Sequence, residues 1–327
     1  MTLDWSVLKI DVSAEIERIA NQLRESTVKL LRRRGAVVAI SGGIDSAVCA
    51  ALAVRAFGPE RVLALILPEY ESAPESEARA RSLADSLGIK PLVEDIGPTL
   101  SAIGCYRWRD EAVNRVIPEY NSHWRMKIVV AGGIDGRFNH FRLITQSPDG
   151  AIHDVTLGLR DYLQIIAATS YKQRIRKTIE YFHADRLNYA VVGTPNKLEY
   201  ELGFFVKNGD GSADIKPIAH LYKSQVYQIG EYLTLPDEVM SAVPTTDTYS
   251  LSQAQDEFYF AIPYRDMDLA LWALTHKIAP EVLAQALSVP AQTARYLYAD
   301  IQAKQRASQY LHRKAVLLGL ASETIDV

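Results

Sequence analysis

The first clear pattern of hydrophobic and polar positions along the chain is helical. Apolar side chains recur every three or four residues over about 11–34, so one face of the predicted helix is apolar. Asp11 or Ser13 can cap its first turn, and three consecutive arginines at 32–34 suit the negative end of its dipole. The apolar face consists of Ile16, Ile19, Ala20, Leu23 and Leu30.

Short continuous apolar runs then alternate with helical patterns. The runs at 36–40, 62–67 and 91–93 predict buried strands. Apolar residues at helical spacing follow the first run, and a second helical pattern at 75–87 ends at Gly88. Strands that alternate with helices in this way predict a parallel sheet covered by helices on both faces.

The alternation is interrupted between Tyr106 and Leu157. Three apolar runs there, at 126–130, 141–145 and 152–157, are separated by turns that contain Gly or Pro. They predict an antiparallel insertion. Its aromatic residues either line a ligand site or pack a small core of their own, and we favour packing. These residues are Tyr106, Trp108, Tyr120 and Trp124.

The alternating signals return after the insertion. Residues 160–183 have helical spacing and 189–192 form another apolar run, whereas the end of the chain carries helical patterns only. We therefore expect a doubly wound α/β domain over 1–271, interrupted by the segment 106–157. A helical extension over 272–327 is expected to pack on it.

Composition favours small-molecule chemistry. The chain has 327 residues, 48% hydrophobic and 23% charged, as is usual for soluble globular proteins. Its formal net charge of -3 provides no overall positive potential that would attract a polyanion such as nucleic acid. Cys49 and Cys105 cannot form a disulfide framework or a Cys-x-x-Cys pair. The amino terminus lacks a basic and an apolar signal region, and no window approaches a membrane span, so we expect a cytoplasmic location.

One loop carries most of the chemical information. Ser41-Gly42-Gly43-Ile44-Asp45-Ser46 follows the first predicted strand and opens a helix. Its glycines let the backbone approach an anion, and N–H groups, two hydroxyls and the helix dipole favour phosphate. Asp45 can hold Mg²⁺. The loop lacks the lysine of a P-loop and the spacing of a dinucleotide-binding motif, so it predicts a phosphate site of another kind.

This loop resembles the pyrophosphate loop of the N-type ATP pyrophosphatases, and further segments resemble the NAD synthetases within that group. The resemblance covers about 36–100 and 160–271 and implies an adenine nucleotide α-hydrolase-like fold. The other matching segments are 193–199 (Gly-Thr-x-Asn-Lys-x-Glu), 203–211 (Gly-Phe-x-x-Lys-x-Gly-Asp-Gly), 221–225 (Leu-x-Lys-x-Gln), Pro244-Thr245 and 255–257 (Gln-Asp-Glu).

The resemblance implies a role for each matching residue. ATP and pyrophosphate binding is implied for Ser41, Gly42, Gly43, Asp45, Ser46, Arg176, Thr194, Lys223 and Thr245. Acceptor binding is implied for Arg174, Lys207, Asp210 and Asp214. The implied Mg²⁺ ligands are Asp45 and Glu199, and the implied catalytic residues are Asp45, Lys207 and Lys223.

The resemblance also implies a reaction. A carboxylate, most simply that of deamido-NAD, is joined to AMP with loss of pyrophosphate from ATP, and ammonia then displaces AMP to give the amide. The synthetase helix begins near residue 11, so we expect no glutaminase domain before it. Free ammonia or a separate glutaminase then supplies the nitrogen. The family further implies a homodimer.

Two positions depart from the family pattern. Val206 stands where the family usually has Thr, and Ser170 stands where an Asn often precedes the pair Arg174 and Arg176. These differences and the insertion leave open a related amide synthetase that acts on another small carboxylic acid.

Two other functions remain as alternatives. A tRNA-modifying or sulfur-transferring pyrophosphatase would be expected to carry Cys pairs or a basic face, and neither is visible. Residues 280–306 could form a DNA-binding helix-turn-helix, because 277–314 carries an excess of about four positive charges. We favour a pair of packing helices there, so nucleic acid is not an expected partner.

Overall fold

The computed structural model describes residues 3–131, 140–243, 249–251 and 262–318. The strands are β1 (Ala36–Ala39), β2 (Val62–Ile66), β3 (Leu92–Val93), β4 (Arg125–Ala131), β5 (His140–Gln146), β6 (Ile152–Thr156) and β7 (Ala190–Val192). The helices are α1 (Val12–Glu25), α2 (Ile44–Phe57), α3 (Pro74–Ser86), α4 (Gly97–Ala102), α5 (Cys105–Asn114), α6 (Leu159–Leu187), α7 (Lys197–Leu202), α8 (Lys223–Tyr232), α9 (Asp237–Met240), α10 (Tyr264–Thr275), α11 (Pro280–Leu287) and α12 (Ala291–His312).

A parallel sheet in the order β3-β2-β1-β7 forms the centre of the molecule. After β1 the chain forms β2 on one side of β1, and much later it forms β7, which pairs with β1 on its other side. Ligands of open α/β sheets bind at such a switch, outside the carboxyl ends of the strands. The predicted doubly wound sheet is confirmed, and its topology places the binding region where β1 and β7 end.

Helix α2 packs closely on this sheet because its inner positions are small. Between Ala47 and Ala53 every side chain is at most 5% exposed, and alanines at these positions let the helix axis approach the strands. The buried face of α1, which includes Ile16 and Leu23, packs into the same cluster. The helix that follows the predicted phosphate loop, which comprises Ser41 to Ser46, is therefore held on two sides.

The first helix ends earlier than its pattern predicts. Asp11 caps it by accepting a hydrogen bond from the Ala14 N–H at 3.0 Å, but α1 ends at Glu25 and a wider turn follows over Ser26–Leu30. The N–H of Arg34 then donates to the carbonyl of Asn188 at 2.8 Å. The predicted helical end at 32–34 is wrong because the chain must turn there to enter β1.

The segment 106–157 contains the predicted antiparallel sheet, in the order β4-β5-β6. Its first residues, however, belong to helix α5. Tyr120 is buried and meets Trp124 edge to face, with ring centroids 6.1 Å apart. Tyr106 stacks on Tyr70, and Trp108 is 40% exposed. The packing interpretation is confirmed for Tyr120 but is wrong for Trp108, which lies at the surface.

The carboxyl-terminal helices pack on one another and on the body. Ile301 of α12 belongs to a buried cluster with residues of α10 and α7, and Ser308 Oγ donates to the carbonyl of Glu201 at 3.0 Å. Two cations of the alternative DNA-binding surface are paired with acids, as Arg295 with Glu281 at 2.5 Å and Lys304 with Asp300 at 2.6 Å. The domain boundaries themselves stay a prediction.

Among the helices of the described residues, none has both the length and the apolar character needed to cross a bilayer.

Candidate active site

The loop between β1 and α2 is folded around its own hydroxyl groups. Ser46 Oγ donates to the carbonyl of Gly43 at 2.9 Å and accepts from the Ser41 N–H at 3.2 Å. Gly42 has a φ of +81°, and a Cβ there would lie 2.5 Å from the carbonyl oxygen of Ser76. Glycine is therefore required at this position. Among the described residues no side chain caps the start of α2 at Gly43, so its first N–H groups can bind an anion.

A buried ion pair lies beside this loop. Lys223, the first residue of α8, is 2% exposed, and its Nζ pairs with Oδ2 of Asp45. Burial alone would lower the pKa of Lys223, but the attraction of Asp45 and Glu199 raises that pKa above its ordinary value. Lys223 therefore stays a cation. Asp268 fixes the backbone of Lys223 by accepting a hydrogen bond from its N–H at 3.2 Å.

Asn196 joins the two carboxylates for which the family resemblance implies Mg²⁺ binding. Its Nδ2 donates to Oδ1 of Asp45 at 3.1 Å, and its Oδ1 accepts from the Glu199 N–H at 3.2 Å. Glu199 Oε2 in return accepts the Asn196 N–H at 3.1 Å, which completes a capping box at the start of α7. Asn196 lies in the matching segment 193–199, but no role was predicted for it, although the Asn-x-x-Glu spacing of a capping box is visible there.

Two adjoining cavities of about 220 and 180 Å³ open at the carboxyl ends of β1 and β7. They share five lining residues: Ser41, Ser46, Ser76, Thr194 and Asp210. The larger cavity, which we call the strand-end cavity, is also lined by Ile40, Pro68, Gln173, Arg176, Lys177 and Glu180. The smaller, the loop cavity, is also lined by Gly42, Gly43, Asp45, Arg79, Glu199, Phe204, Phe205 and Lys223.

Most of the predicted site residues line these two cavities. The residues brought together are Ser41, Gly42, Gly43, Asp45, Ser46, Arg176, Thr194, Glu199, Asp210 and Lys223. Asp210 accepts the Val206 N–H at 2.7 Å, and burial raises the pKa of its carboxyl above the ordinary value. The carboxyl ends of two strands and the start of two helices thus converge on one space.

Three predicted acceptor residues lie away from the cavity walls. Lys207 Nζ donates to the carbonyls of Tyr310 at 2.9 Å and Arg313 at 3.2 Å, and Arg174 Nε donates to the carbonyl of Lys207 at 3.3 Å. Asp214 Oδ2 accepts the Val191 N–H at 2.8 Å, which fixes the loop after Gly211 to strand β7. The predicted residue Thr245 lies outside the described residues, as does the segment 255–257.

Lys177, Glu180 and Arg79 are cavity residues that the sequence did not single out. Lys177 Nζ and Glu180 Oε2 are 2.7 Å apart and both side chains are buried. Burial raises the pKa of Glu180, against the attraction of Lys177. No short motif marks any of these residues, and only the packing of α6 and α3 against the strand ends brings them to the cavities.

Comparison with known proteins supplies the family. The model of the NAD synthase family matches residues 15–149 and 146–310. The NH(3)-dependent NAD(+) synthetase of Mesorhizobium japonicum is 49% identical over 312 residues, which is 95% of this chain and 98% of that protein. The enzyme of the same name from Rhizobium meliloti is 50% identical over 306 residues, 93% of this chain and 91% of that protein.

Solved structures share the fold at lower identity. NMN synthetase from Francisella tularensis superposes with a TM-score of 0.65 at 22% identity, covering 95% of this chain and all of that one. NH3-dependent NAD synthetase from Campylobacter jejuni gives a TM-score of 0.62 at 21% identity, over 94% of this chain and all of that one. With its loop at Ser41 to Ser46, its paired Asp45 and Lys223 and these matches over nearly its whole length, the chain belongs to the NAD synthase family.

Proposed function

We propose that this chain uses ATP to adenylate the nicotinate carboxylate of deamido-NAD and then transfers ammonia to it, giving NAD and AMP. The observation that carries the proposal is the convergence of the loop, Asp45, Glu199 and Lys223 on one cavity. The high identity to NH(3)-dependent synthetases over almost the full length supports both the acceptor and the nitrogen source. Because the reaction consumes ATP and both cysteines are free thiols, we also place it in the cytoplasm.

The residues of the cavity suit the first step by electrostatics. An oxygen of the carboxylate attacks the α-phosphorus, the bond to the β-phosphate oxygen breaks, and the electron pair leaves with pyrophosphate. The N–H groups at the start of α2 and the ammonium of Lys223 stabilise the charge that develops on the phosphates. No protein nucleophile is required. Cys49 is fully buried, and burial holds its pKa well above the ordinary value, so its thiol is unsuited to attack.

The second step needs neutral ammonia and exclusion of water. Ammonia attacks the acyl carbon of the adenylate, the bond to AMP breaks, and a proton must leave the nitrogen. Asp210 lies between the two cavities, and its raised pKa makes it a better proton acceptor than an exposed aspartate. Within this proposal Arg174, Lys207 and Asp214 complete the acceptor site, and Lys207 reaches it by exchanging its contacts with the end of α12.

Asp45 and Glu199 would hold a Mg²⁺ ion together with oxygens of the substrate. The described residues contain no group of three or more His, Cys, Asp or Glu side chains arranged for a metal. Mg²⁺ is commonly held by one or two carboxylates together with phosphate oxygens, so this pair would suffice. The side-chain amide of Asn196 holds Asp45, and the backbone N–H of Asn196 holds the Glu199 carboxylate. Bound there, the ion would neutralise phosphate charge.

The proposal is tested by measuring pyrophosphate release with Mg-ATP across a panel of acids. We expect deamido-NAD with ammonium to give NAD, AMP and pyrophosphate in equal amounts, and glutamine to replace ammonium poorly. Nicotinate mononucleotide belongs in the panel because one structural neighbour is an NMN synthetase and because Val206 and Ser170 depart from the family pattern. Turnover of that or another acid, with deamido-NAD inactive, would reject the proposed acceptor.

We also infer a homodimer, as the family resemblance implies. Large apolar side chains are exposed on the neighbouring helices α5 and α6, namely Trp108 at 40%, Leu159 at 70% and Leu163 at 53%. Large exposed apolar side chains on two helices that pack together are candidates for a protein interface. In light scattering we expect twice the mass of the chain for the wild type and a single chain for Leu163→Glu. Tyr232→Glu, which changes another exposed apolar residue on α8, should remain a dimer, and a monomeric wild type would contradict the inference.

A further inference from the structure

Arg79 is a cation of the loop cavity to which neither the motifs nor the family resemblance gives a role. It lies on α3, the helix that follows β2, and its side chain lines the cavity together with Asp45 and Lys223. Its Nε donates to the carbonyl of Gly42 at 3.3 Å, and Nη2 donates to Ser76 Oγ at 3.1 Å. Arg79 therefore fixes the backbone of the phosphate loop at Gly42.

The contact between α3 and the loop is tight enough to fix the guanidinium. A Cβ at Gly42 would lie 2.5 Å from the carbonyl oxygen of Ser76 and 3.1 Å from Cβ of Arg79. The absence of a side chain at Gly42 is thus what brings the first turns of α3 against the loop. The side chain of Arg79 is partly buried, so its position is set by packing as well as by its hydrogen bonds.

Arg79 also has unused hydrogen-bonding capacity. A guanidinium has five N–H donors, and two of them serve Gly42 and Ser76. Among the described residues it takes part in no ion pair. Lys223, which also lines this cavity, is already paired with Asp45. Within the part of the chain that the structure describes, Arg79 thus lines the cavity with a positive charge that no acidic side chain compensates.

The chemistry of the first step supplies an anion. When the bond between the α- and β-phosphates breaks, negative charge moves onto the pyrophosphate. A guanidinium with several free N–H groups matches phosphate oxygens in a forked geometry. We propose that Arg79 binds the pyrophosphate part of ATP and stabilises it as the leaving group. This rests on the proposed adenylation, because it assigns a residue to the phosphates that adenylation releases.

The test compares two arginines of the same helix. Arg81 lies two residues further along α3, is 50% exposed and pairs with Glu77 at 2.7 Å, so Arg81→Ala removes the same charge outside the cavity. Titration calorimetry on the full chain uses inorganic pyrophosphate and AMP as separate probes. We expect Arg79→Ala to weaken pyrophosphate binding about 10- to 100-fold, as for loss of a charge-assisted contact. AMP binding should change less than about 3-fold, since AMP lacks the β- and γ-phosphates.

Further readouts separate this role from a merely structural one. Arg79→Lys keeps the charge but loses the forked donor geometry, so its affinity for pyrophosphate should lie between those of the wild type and Arg79→Ala. It also replaces Arg79→Ala in the test if that variant does not fold. The rate of pyrophosphate release should fall together with the affinity for pyrophosphate, while Arg81→Ala should keep the wild-type rate. Equal losses for AMP and pyrophosphate, or unchanged pyrophosphate binding, would overturn the inference. Because these titrations contain no acceptor acid, they stand even if deamido-NAD proves to be the wrong substrate.

Discussion

Replacing Lys223 with Met is expected to lower kcat/KM for pyrophosphate release about 10³-fold, because the proposed adenylation places this buried cation beside the phosphates. The ammonium is 2% exposed and is held by Asp45, with the backbone N–H fixed by Asp268. Met fills the space without the charge, and water cannot replace a buried cation. In the proposed adenylation, charge on the phosphates would then develop without this buried cation. The measurement is steady-state pyrophosphate release with Mg-ATP, deamido-NAD and ammonium.

A double variant tests whether Lys223 and Asp45 act together. Asp45→Asn keeps the size of the side chain and the contact with Asn196 but removes the partner of Lys223. Residues that act as one unit give non-additive losses, so Asp45→Asn/Lys223→Met should lose little more than the worse single variant. Fully multiplicative losses would show that the two residues act independently. Lys304→Met, which changes a lysine of α12 paired with Asp300, controls for loss of charge alone.

The loop from Ser41 to Ser46 and the helix that it opens could be predicted because their signals lie in consecutive residues. Ser41 to Ser46 follow an apolar run, and glycine, serine and the start of a helix have the same local consequences in most folds. Lys223 could be assigned only through resemblance, since 178 residues separate it from Asp45. The sheet order brings these two residues together, and no local pattern contains that order.

Arg79 shows a second limit of sequence reasoning. The pattern at 75–87 correctly predicts a helix, and α3 spans Pro74–Ser86. It does not show which polar position faces the loop, because Arg79 and Arg81 are the same residue type two positions apart. Which of the two arginines faces the loop depends on the close approach of Ser76 and Gly42, which is a tertiary contact. The helix could be predicted from the sequence, whereas the cavity residue could not.

Lys172 is the strongest case of burial that the pattern did not predict. A lysine in the helical stretch 160–183 is expected to face water, yet it is fully buried. Its Nζ lies 2.9 Å from Glu69 Oε1 and 2.6 Å from Glu71 Oε2, and Arg109 Nη1 lies 2.5 Å from Glu71 Oε1. Tyr106 donates to the other oxygen of Glu69 at 2.6 Å. This network, which we call the Glu69 network, connects the turn after β2 with α5 and α6.

The Glu69 network predicts a large loss of stability for Lys172→Met. Burial raises the pKa of Glu69, but Lys172 and the hydrogen bond from Tyr106 outweigh it and hold that pKa below the ordinary value. Without Lys172 the buried carboxylate of Glu69 loses its main partner, and we expect the free energy of unfolding to fall by about 3–5 kcal/mol in urea denaturation at neutral pH. Lys29→Met breaks an ion pair of similar length, 2.8 Å, but with both side chains exposed, and should cause no measurable loss.

The pH dependence of that loss identifies its cause. In the wild type the lowered pKa of Glu69 stabilises the fold above the ordinary carboxyl pKa, and this contribution disappears as the pH falls through the lowered value. In Lys172→Met burial should instead raise the pKa of Glu69 above its unfolded value, so the folded state gains a proton first as the pH falls. The deficit relative to wild type should therefore be largest at neutral pH and should shrink as the pH falls toward the ordinary carboxyl pKa. A deficit that is constant with pH would mean that lost packing, and not an uncompensated carboxylate, destabilises the variant.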